Sequence, residues 1–265
     1  MLSSGQVKHV SSLRAKKFRE KSGRFIAEGE KLVDSLISAH FNIDSIYASP
    51  SWVRDNSLLL KNQGIPVFET LPGEMERISN LSTPSPVLAV VVVPETPLFD
   101  YDLYFRDFPS GNCLCLALDN IRDPGNLGTI LRIADWFGIT TVFCSEQTVE
   151  LYNPKVVQAT MGSIARVKAI YCDLVKTLSL LSQTIPVYGA FLEGENLFEQ
   201  DLPPSAVILI GNESHGISPE LEPLITRKLV IPSSGPSEPG KAESLNASVA
   251  TAILCAEFRR SSYRQ

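Results

Sequence analysis

The sequence predicts an α/β protein made of two such layer structures in series. Two observations carry that expectation. Short apolar, β-branched runs alternate with helical patterns along nearly the whole chain. One stretch interrupts the alternation, where Pro84, Pro86, Pro94 and Pro97 lead into an aperiodic aromatic segment at 98–111. The expected organisation is a small α/β domain over 1–94, a linker over 95–112 and a larger α/β domain over 113–265 with a mainly parallel sheet.

The first domain opens with a short basic helix, followed by strand and helix patterns at 25–27, 30–40, 43–48, 52–61, 65–68 and 87–93. In the second, strands are expected at 113–118, 141–144, 166–170, 187–191, 206–210 and 228–231. Helices are expected at 127–137, 154–161, 174–182, 219–226 and 245–260.

Composition narrows the function classes. With 265 residues, 44% of them hydrophobic, the chain can bury a large core. Its longest apolar run, at 87–93, is far short of the roughly 20 residues that cross a bilayer, and the first eight residues contain no signal-like apolar stretch. A cytoplasmic protein with no membrane partner is therefore expected. The five cysteines form no C-x-x-C pair, and they read as reduced packing residues. His9, His40 and His215 stand at no metal-ligand spacing, so no metal site is expected. The net charge is −5, yet seven of the 24 basic residues (Lys8, Arg14, Lys16, Lys17, Arg19, Lys21 and Arg24) precede residue 25, opposed there only by Glu20. Alone, such a run is a solvated helix face; beside a catalytic site it becomes a cationic patch for nucleic acid.

Ligands of open parallel sheets settle at the carboxyl ends of the strands, and three such ends are polar here. The first, from Asp119 to Gly128, places Asn126 as a helix cap, with Arg132 almost two turns further in. Ile130, Leu131, Ile133 and Ala134 surround Arg132 in sequence, which predicts a buried guanidinium with partners. In the second, Gly211-Asn212-Glu213-Ser214-His215-Gly216, the two glycines permit positive φ and close backbone approach, while Glu213 is an acceptor. The third follows Ile231-Pro232 and ends at Ser244 and Asn246, ahead of a small-residue helix. Taken singly, each reads as capping or a turn. No G-x-G-x-x-G or P-loop pattern is present.

Together the three loops resemble the motifs of the SpoU (TrmH) family within the SPOUT methyltransferase superfamily. Asn126-x-Gly128-x-x-x-Arg132 is similar to motif 1, and Ile210-Gly211-Asn212-Glu213-Ser214-His215-Gly216 to motif 2. Ile231-Pro232 with Ser244-Leu245-Asn246-Ala247-Ser248-Val249-Ala250 is similar to motif 3. The resemblance covers residues 113–260. A weaker one, in Lys16-Lys17-x-Arg19 and Arg24-Phe25-Ile26-Ala27-Glu28-Gly29-Glu30-Lys31, is to an L30e-like substrate-binding domain that grips RNA. One departure is visible: between Ile231 and Ser244 this chain carries several residues more than the family spacing.

The resemblance implies a SPOUT domain with a deep trefoil knot, a homodimer formed through the C-terminal domain, and S-adenosyl-L-methionine as cofactor. The implied reaction is methylation of a ribose 2′-hydroxyl in structured RNA, with ribosomal RNA favoured over tRNA. It implies a catalytic set of Asn126, Arg132, Glu213, Ser244 and Asn246, with cofactor contacts at Phe191, Leu192, Gly211, Ile231 and Leu245. RNA contacts are implied at Lys16, Lys17, Arg19 and Arg24. Arg132 could serve as base, or as anchor for phosphate or forming alkoxide, the second being chemically easier for a guanidinium. The competing readings are a tRNA ribose methyltransferase, a catalytically silent RNA-binding or ribosome-assembly factor on the same fold, and a plain nucleotide-binding α/β protein.

Overall fold

The computed structural model describes residues 1–61, 64–95, 100–101, 104, 113–234 and 244–260. Most of the expected linker at 95–112, and the glycine- and proline-containing stretch 235–243, lie outside the described residues. The chain forms two compact units, one of residues 1–95 with 150–166, the other of 96–149 with 167–265.

The first unit opens with two helices where one basic helix was expected, α1 (Ser4–Ser12) and α2 (Lys16–Ser22). β1 (Arg24–Glu28), α3 (Glu30–Ser38), β2 (Ile43–Ala48), α4 (Pro50–Asp55), α5 (Ser57–Lys61), β3 (Val67–Glu69), α6 (Pro72–Ile78) and β4 (Val87–Val92) follow. The helical pattern at 52–61 is split because Asn56 ends α4, returning its side-chain amide to the Trp52 carbonyl at 2.9 Å. The sequence reading did not foresee α6; Pro72 suits its first turn, and the Glu74 carboxylate accepts from the Leu71 and Leu2 amides. The sheet order is β1-β4-β2-β3, with β4 antiparallel to both neighbours. Leu32, Val33, Leu36 and Ile37 form one face of α3, which packs on Phe25, Ala27, Val87, Ala89 and Val91.

From residue 113 the elements are β5 (Leu114–Leu118), α7 (Pro124–Trp136), β6 (Thr141–Cys144), α8 (Pro154–Thr160), β7 (Lys168–Tyr171), α9 (Leu174–Leu181) and β8 (Val187–Phe191). β9 (Glu195–Asn196), β10 (Ala206–Ile210), β11 (Arg227–Val230) and α10 (Ala247–Arg259) complete the described chain. Except for α8, these belong to the second unit. Its seven strands are ordered β7-β6-β5-β10-β8-β11-β9, and every pairing is parallel. β5 and β10 are buried at every residue, as central strands covered on both faces must be. Cys115, Ala117, Val207 and Leu209 point to the face where α9 packs through Leu174, Leu178 and Leu181, while α7 and α10 pack on each other. The helix expected at 219–226 is a single 3-10 turn, Glu222–Leu224: Pro223 has no amide hydrogen to donate and blocks an α-helical turn. All five cysteines are free. Among the described residues no helix is long and apolar enough to cross a membrane.

The sequence pattern places 150–166 in the second domain, whereas its apolar side chains join the first unit's core. Leu151, Tyr152, Val157 and Ile164 pack with Phe25 and its neighbours, the Phe25 and Tyr152 ring centroids being 4.6 Å apart. Burial pushes the Tyr152 phenol up to about 12. At the head of the segment, the Glu150 carboxylate accepts from Arg19 Nε at 2.9 Å and Nη2 at 2.8 Å. Arg19 Nη1 also donates to the carbonyls of Leu13 and Arg14. Periodicity shows that a helix must bury a face but not which core receives it.

Arg19 is only 3% exposed, so Arg19→Met would leave a carboxylate and two carbonyls without their donor. The expected cost is about 3 kcal/mol, read as a lower urea midpoint for the unfolding of the first unit.

Candidate active site

Loops after β5 and β10 leave the sheet side by side because Ile210 stands in register with Leu118. They are laced together at once. Asp119 donates its amide to the Ile210 carbonyl at 2.9 Å, and its carboxylate accepts from the Ser218 amide at 2.7 Å. The Asn212 side-chain amide donates to the Asn120 carbonyl at 2.8 Å. Asn120 adopts a left-handed conformation at φ 59°, which an asparagine tolerates.

The β10 loop is pinched shut by two reciprocal backbone bonds of 2.9 Å between Asn212 and Gly216. A Cβ on Gly211 would lie 2.3 Å from the Gly216 carbonyl carbon. Here the two glycines divide the work expected of both: Gly211 gives close approach, and Gly216 takes the positive φ of 71°. Glu213, Ser214 and His215 are left exposed at the tip.

At the start of α7 the cap is Asp123, whose carboxylate accepts from the Asn126 amide at 2.8 Å, and Pro124 occupies the first turn. Asn126 is therefore not the cap that the spacing suggested. Its side chain, 8% exposed, is free to bridge loops instead. The Asn126 Nδ2 donates to Glu213 Oε1, and Asn126 Oδ1 accepts from Asn246 Nδ2 at 2.8 Å. Asn246 in turn caps α10, its Oδ1 accepting from the Ser248 amide at 2.9 Å and the Ser248 hydroxyl at 2.6 Å. One polar relay thus joins residues of all three loops.

Chemistry fixes the direction of this relay. A carboxylate at one end can only accept and helix amides at the other can only donate, so both asparagine side chains have a single workable orientation.

The Arg132 side chain is exposed, and among the described residues it has no ion pair or hydrogen bond. The expected buried guanidinium is corrected by helix geometry, since neighbours at one or two positions face elsewhere. Arg132 shares its face with residues three and four away, including Trp136, which is 83% exposed. Ser244 is exposed as well and makes no hydrogen bond among the described residues.

The five positions implied for the cofactor lie in the second unit. Phe191 ends β8 opposite Val230 of β11, so Leu192 and Ile231 leave the sheet together, beside the Gly211 loop. The Phe191 ring turns back over Gly189, where a Cβ would lie 2.6 Å from the ring, and Lys228 Nζ sits 4.4 Å from its centroid. That packing leaves the Phe191 backbone rather than its ring at the sheet edge. Leu192 is 68% and Leu245 47% exposed. Exposed leucines beside strand-end backbone groups suit a nucleoside with an apolar ring face and polar edges, so these residues fit S-adenosylmethionine.

Of the basic residues in the first unit, Lys16 and Lys17 are exposed, but Arg19 is buried on Glu150 and Arg24 pairs with Asp44 at 2.7 Å. Glu150 lies outside every loop that the sequence singles out, and Asp119, Asn120, Asp123 and Ser248 stand within those loops and motifs without an expected role. Only Asp123 carried a local signal, as an Asp-Pro pair ahead of an apolar periodic run.

Comparison with known proteins makes the chain an S-adenosylmethionine-dependent RNA methyltransferase. Residues 113–256 match the SpoU rRNA Methylase family and residues 5–89 the MRM3-like substrate binding domain; the chain belongs to the SpoU family. It is 28% identical to the 23S rRNA (guanosine(2553)-2′-O)-methyltransferase RlmP of Bacillus subtilis, covering 96% of both chains. A solved TrmH-family protein from Porphyromonas gingivalis is 39% identical with a TM-score of 0.80, over 98% of this chain and 99% of that one. An rRNA methyltransferase from Sinorhizobium meliloti, solved with AdoMet bound, is 27% identical with a TM-score of 0.83, over 98% and 96%.

Asn126→Asp sets a second carboxylate against Glu213. The variant is expected to be less stable than the parent by roughly 1–3 kcal/mol at neutral pH. The deficit should shrink in acid, because protonating either carboxyl restores a donor between them; thermal melts of both proteins at neutral and acidic pH measure it.

Proposed function

We propose that this chain transfers the methyl group of S-adenosylmethionine to a ribose 2′-hydroxyl of ribosomal RNA, of the large-subunit type. The observation carrying the reading is the relay through Glu213, Asn126 and Asn246, which holds three loops at one sheet edge where the exposed Arg132 guanidinium has no partner among the described residues. The name of the Bacillus subtilis relative supports the substrate class. Cytoplasmic location belongs to the same reading.

When bound, the cofactor supplies an electrophilic methyl on a sulfonium. The chain's own residues do the rest. Leu192 and Leu245 cover apolar surface and exclude water, while backbone groups at Phe191, Gly211 and Ile231 take the polar edges. Arg132 holds RNA phosphate or the charge developing on the ribose oxygen; a guanidinium stays protonated in proteins, which favours these roles over that of a base. Asn126 and Asn246 position the loops, Glu213 fixes Asn126, and Ser244 lines the entrance to α10.

A deep trefoil knot is part of this proposal, supported by the place of β10 between β5 and β8 and by the return of α10 onto α7. So is a homodimer, supported by Trp136 on α7 and by Val249 on α10, 46% exposed. An exposed tryptophan on a helix pair suits burial against a second copy. Trp136→Glu is expected to give monomers in sedimentation velocity where the parent sediments as a dimer.

Arg132→Ala should keep its melting temperature and its cofactor affinity by calorimetry, because the side chain is exposed and makes no ion pair or hydrogen bond among the described residues. Its rate of 2′-O-methylation of ribosomal RNA should fall by about 100-fold or more. Full activity in that variant would remove Arg132 from the mechanism.

A further inference from the structure

The helix α2 exposes an aromatic ring in a cationic setting. Phe18 is 40% exposed, and the only buried residue of α2 is Arg19. Lys17 Nζ lies over the Phe18 ring, 4.9 Å from its centroid. Lys21, three residues on, shares the helix face. Lys16 is paired with Glu20 at 3.6 Å, but Lys17 and Lys21 pair with no carboxylate among the described residues. The platform is held from behind: the four hydrogen bonds of Arg19, two of them to Glu150, fix the helix, and Gly23 ends it in a left-handed turn at φ 61°.

We infer that Phe18 is a stacking platform for one unpaired nucleobase of the RNA substrate, with the flanking phosphates taken by Lys17 and Lys21. This rests on the RNA-methyltransferase reading above and adds to it a feature of the substrate: a loop or single-stranded nucleotide bound at the first unit. The physical case is convergence. A scattered exposed phenylalanine needs no explanation. A ring beside two lysines that have no carboxylate partner among the described residues, on a helix with no apolar core of its own and pinned by a buried ion pair, matches what single-stranded RNA binds: a π-face beside separated positive charges. A duplex keeps its bases stacked on each other and offers such a ring nothing. Charge complementarity therefore selects RNA, and the aromatic ring selects unpaired RNA.

The test uses the full-length protein with two labelled probes, a stem-loop RNA with an unpaired loop and a blunt duplex of equal length, measured by fluorescence anisotropy. Phe18→Ala is expected to weaken stem-loop binding by about 5- to 100-fold and duplex binding by less than about twofold. Phe18→Trp should retain stem-loop affinity, and its added emission, after subtraction of the parent's Trp52 and Trp136 signal, should be quenched by the stem-loop and not by the duplex. Should Phe18→Ala fold poorly, the Phe18→Trp quenching decides alone. Unchanged binding by Phe18→Ala, equal loss on both probes, or absence of quenching would overturn the inference. Methylation of ribosomal RNA by the parent protein is measured separately. If it is absent the proposed reaction fails; if it persists without stacking, only the role of Phe18 fails.

Discussion

The second unit's functional edge depends on one buried amide. Asn126 stands between an acceptor that cannot donate, Glu213, and a donor supplied by Asn246, whose own oxygen faces the amides that open α10. An ionised aspartate, a leucine or an alanine at 126 could not satisfy both neighbours, whereas a carboxamide offers donor and acceptor from one planar group at any pH. The positions of the β10 loop, the start of α7 and the start of α10 thus become a single condition. Such an arrangement suits catalysis: preorganised groups need not reorganise when charge develops.

That relay also separates two kinds of polar residue that look alike in sequence. Asn126, Glu213 and Asn246 spend their hydrogen bonds on one another, while Arg132 and Ser244 spend none within the described chain. The first group fixes geometry and the second is available to a ligand. A like division holds in the first unit, where Arg19 and Arg24 are bound in ion pairs while, among the described residues, Lys17 and Lys21 are not. Local charge density is thus a poor guide to which cations meet a partner, because arginine's planar fork is the group best suited to internal pairing.

Much of the architecture was legible. Strands at 43–48, 141–144, 187–191 and 206–210 were placed to the residue because each is a short apolar run bounded by turn residues. The three loops were legible because strand ends collect polar residues. Pairings between distant residues were not: nothing near Arg19 points to Glu150, and nothing near Asn126 points to Glu213. Arg132 is exposed for a related reason: its neighbours in sequence are not its neighbours in space on a helix. The helix expected at 219–226 failed on Pro223, a local signal that apolar spacing outweighed.

The excursion of 150–166 into the first unit has a consequence for how this protein can be divided. The chain enters the first unit twice, so the piece that looks removable at residue 95 is not self-sufficient. Cut there, it would keep Arg19 without its carboxylate and Phe25 without Tyr152. An exchange of front modules would therefore have to carry two separate stretches of sequence, a heavier requirement than a single joint, and it ties the inheritance of the first unit to that of the rest of the chain.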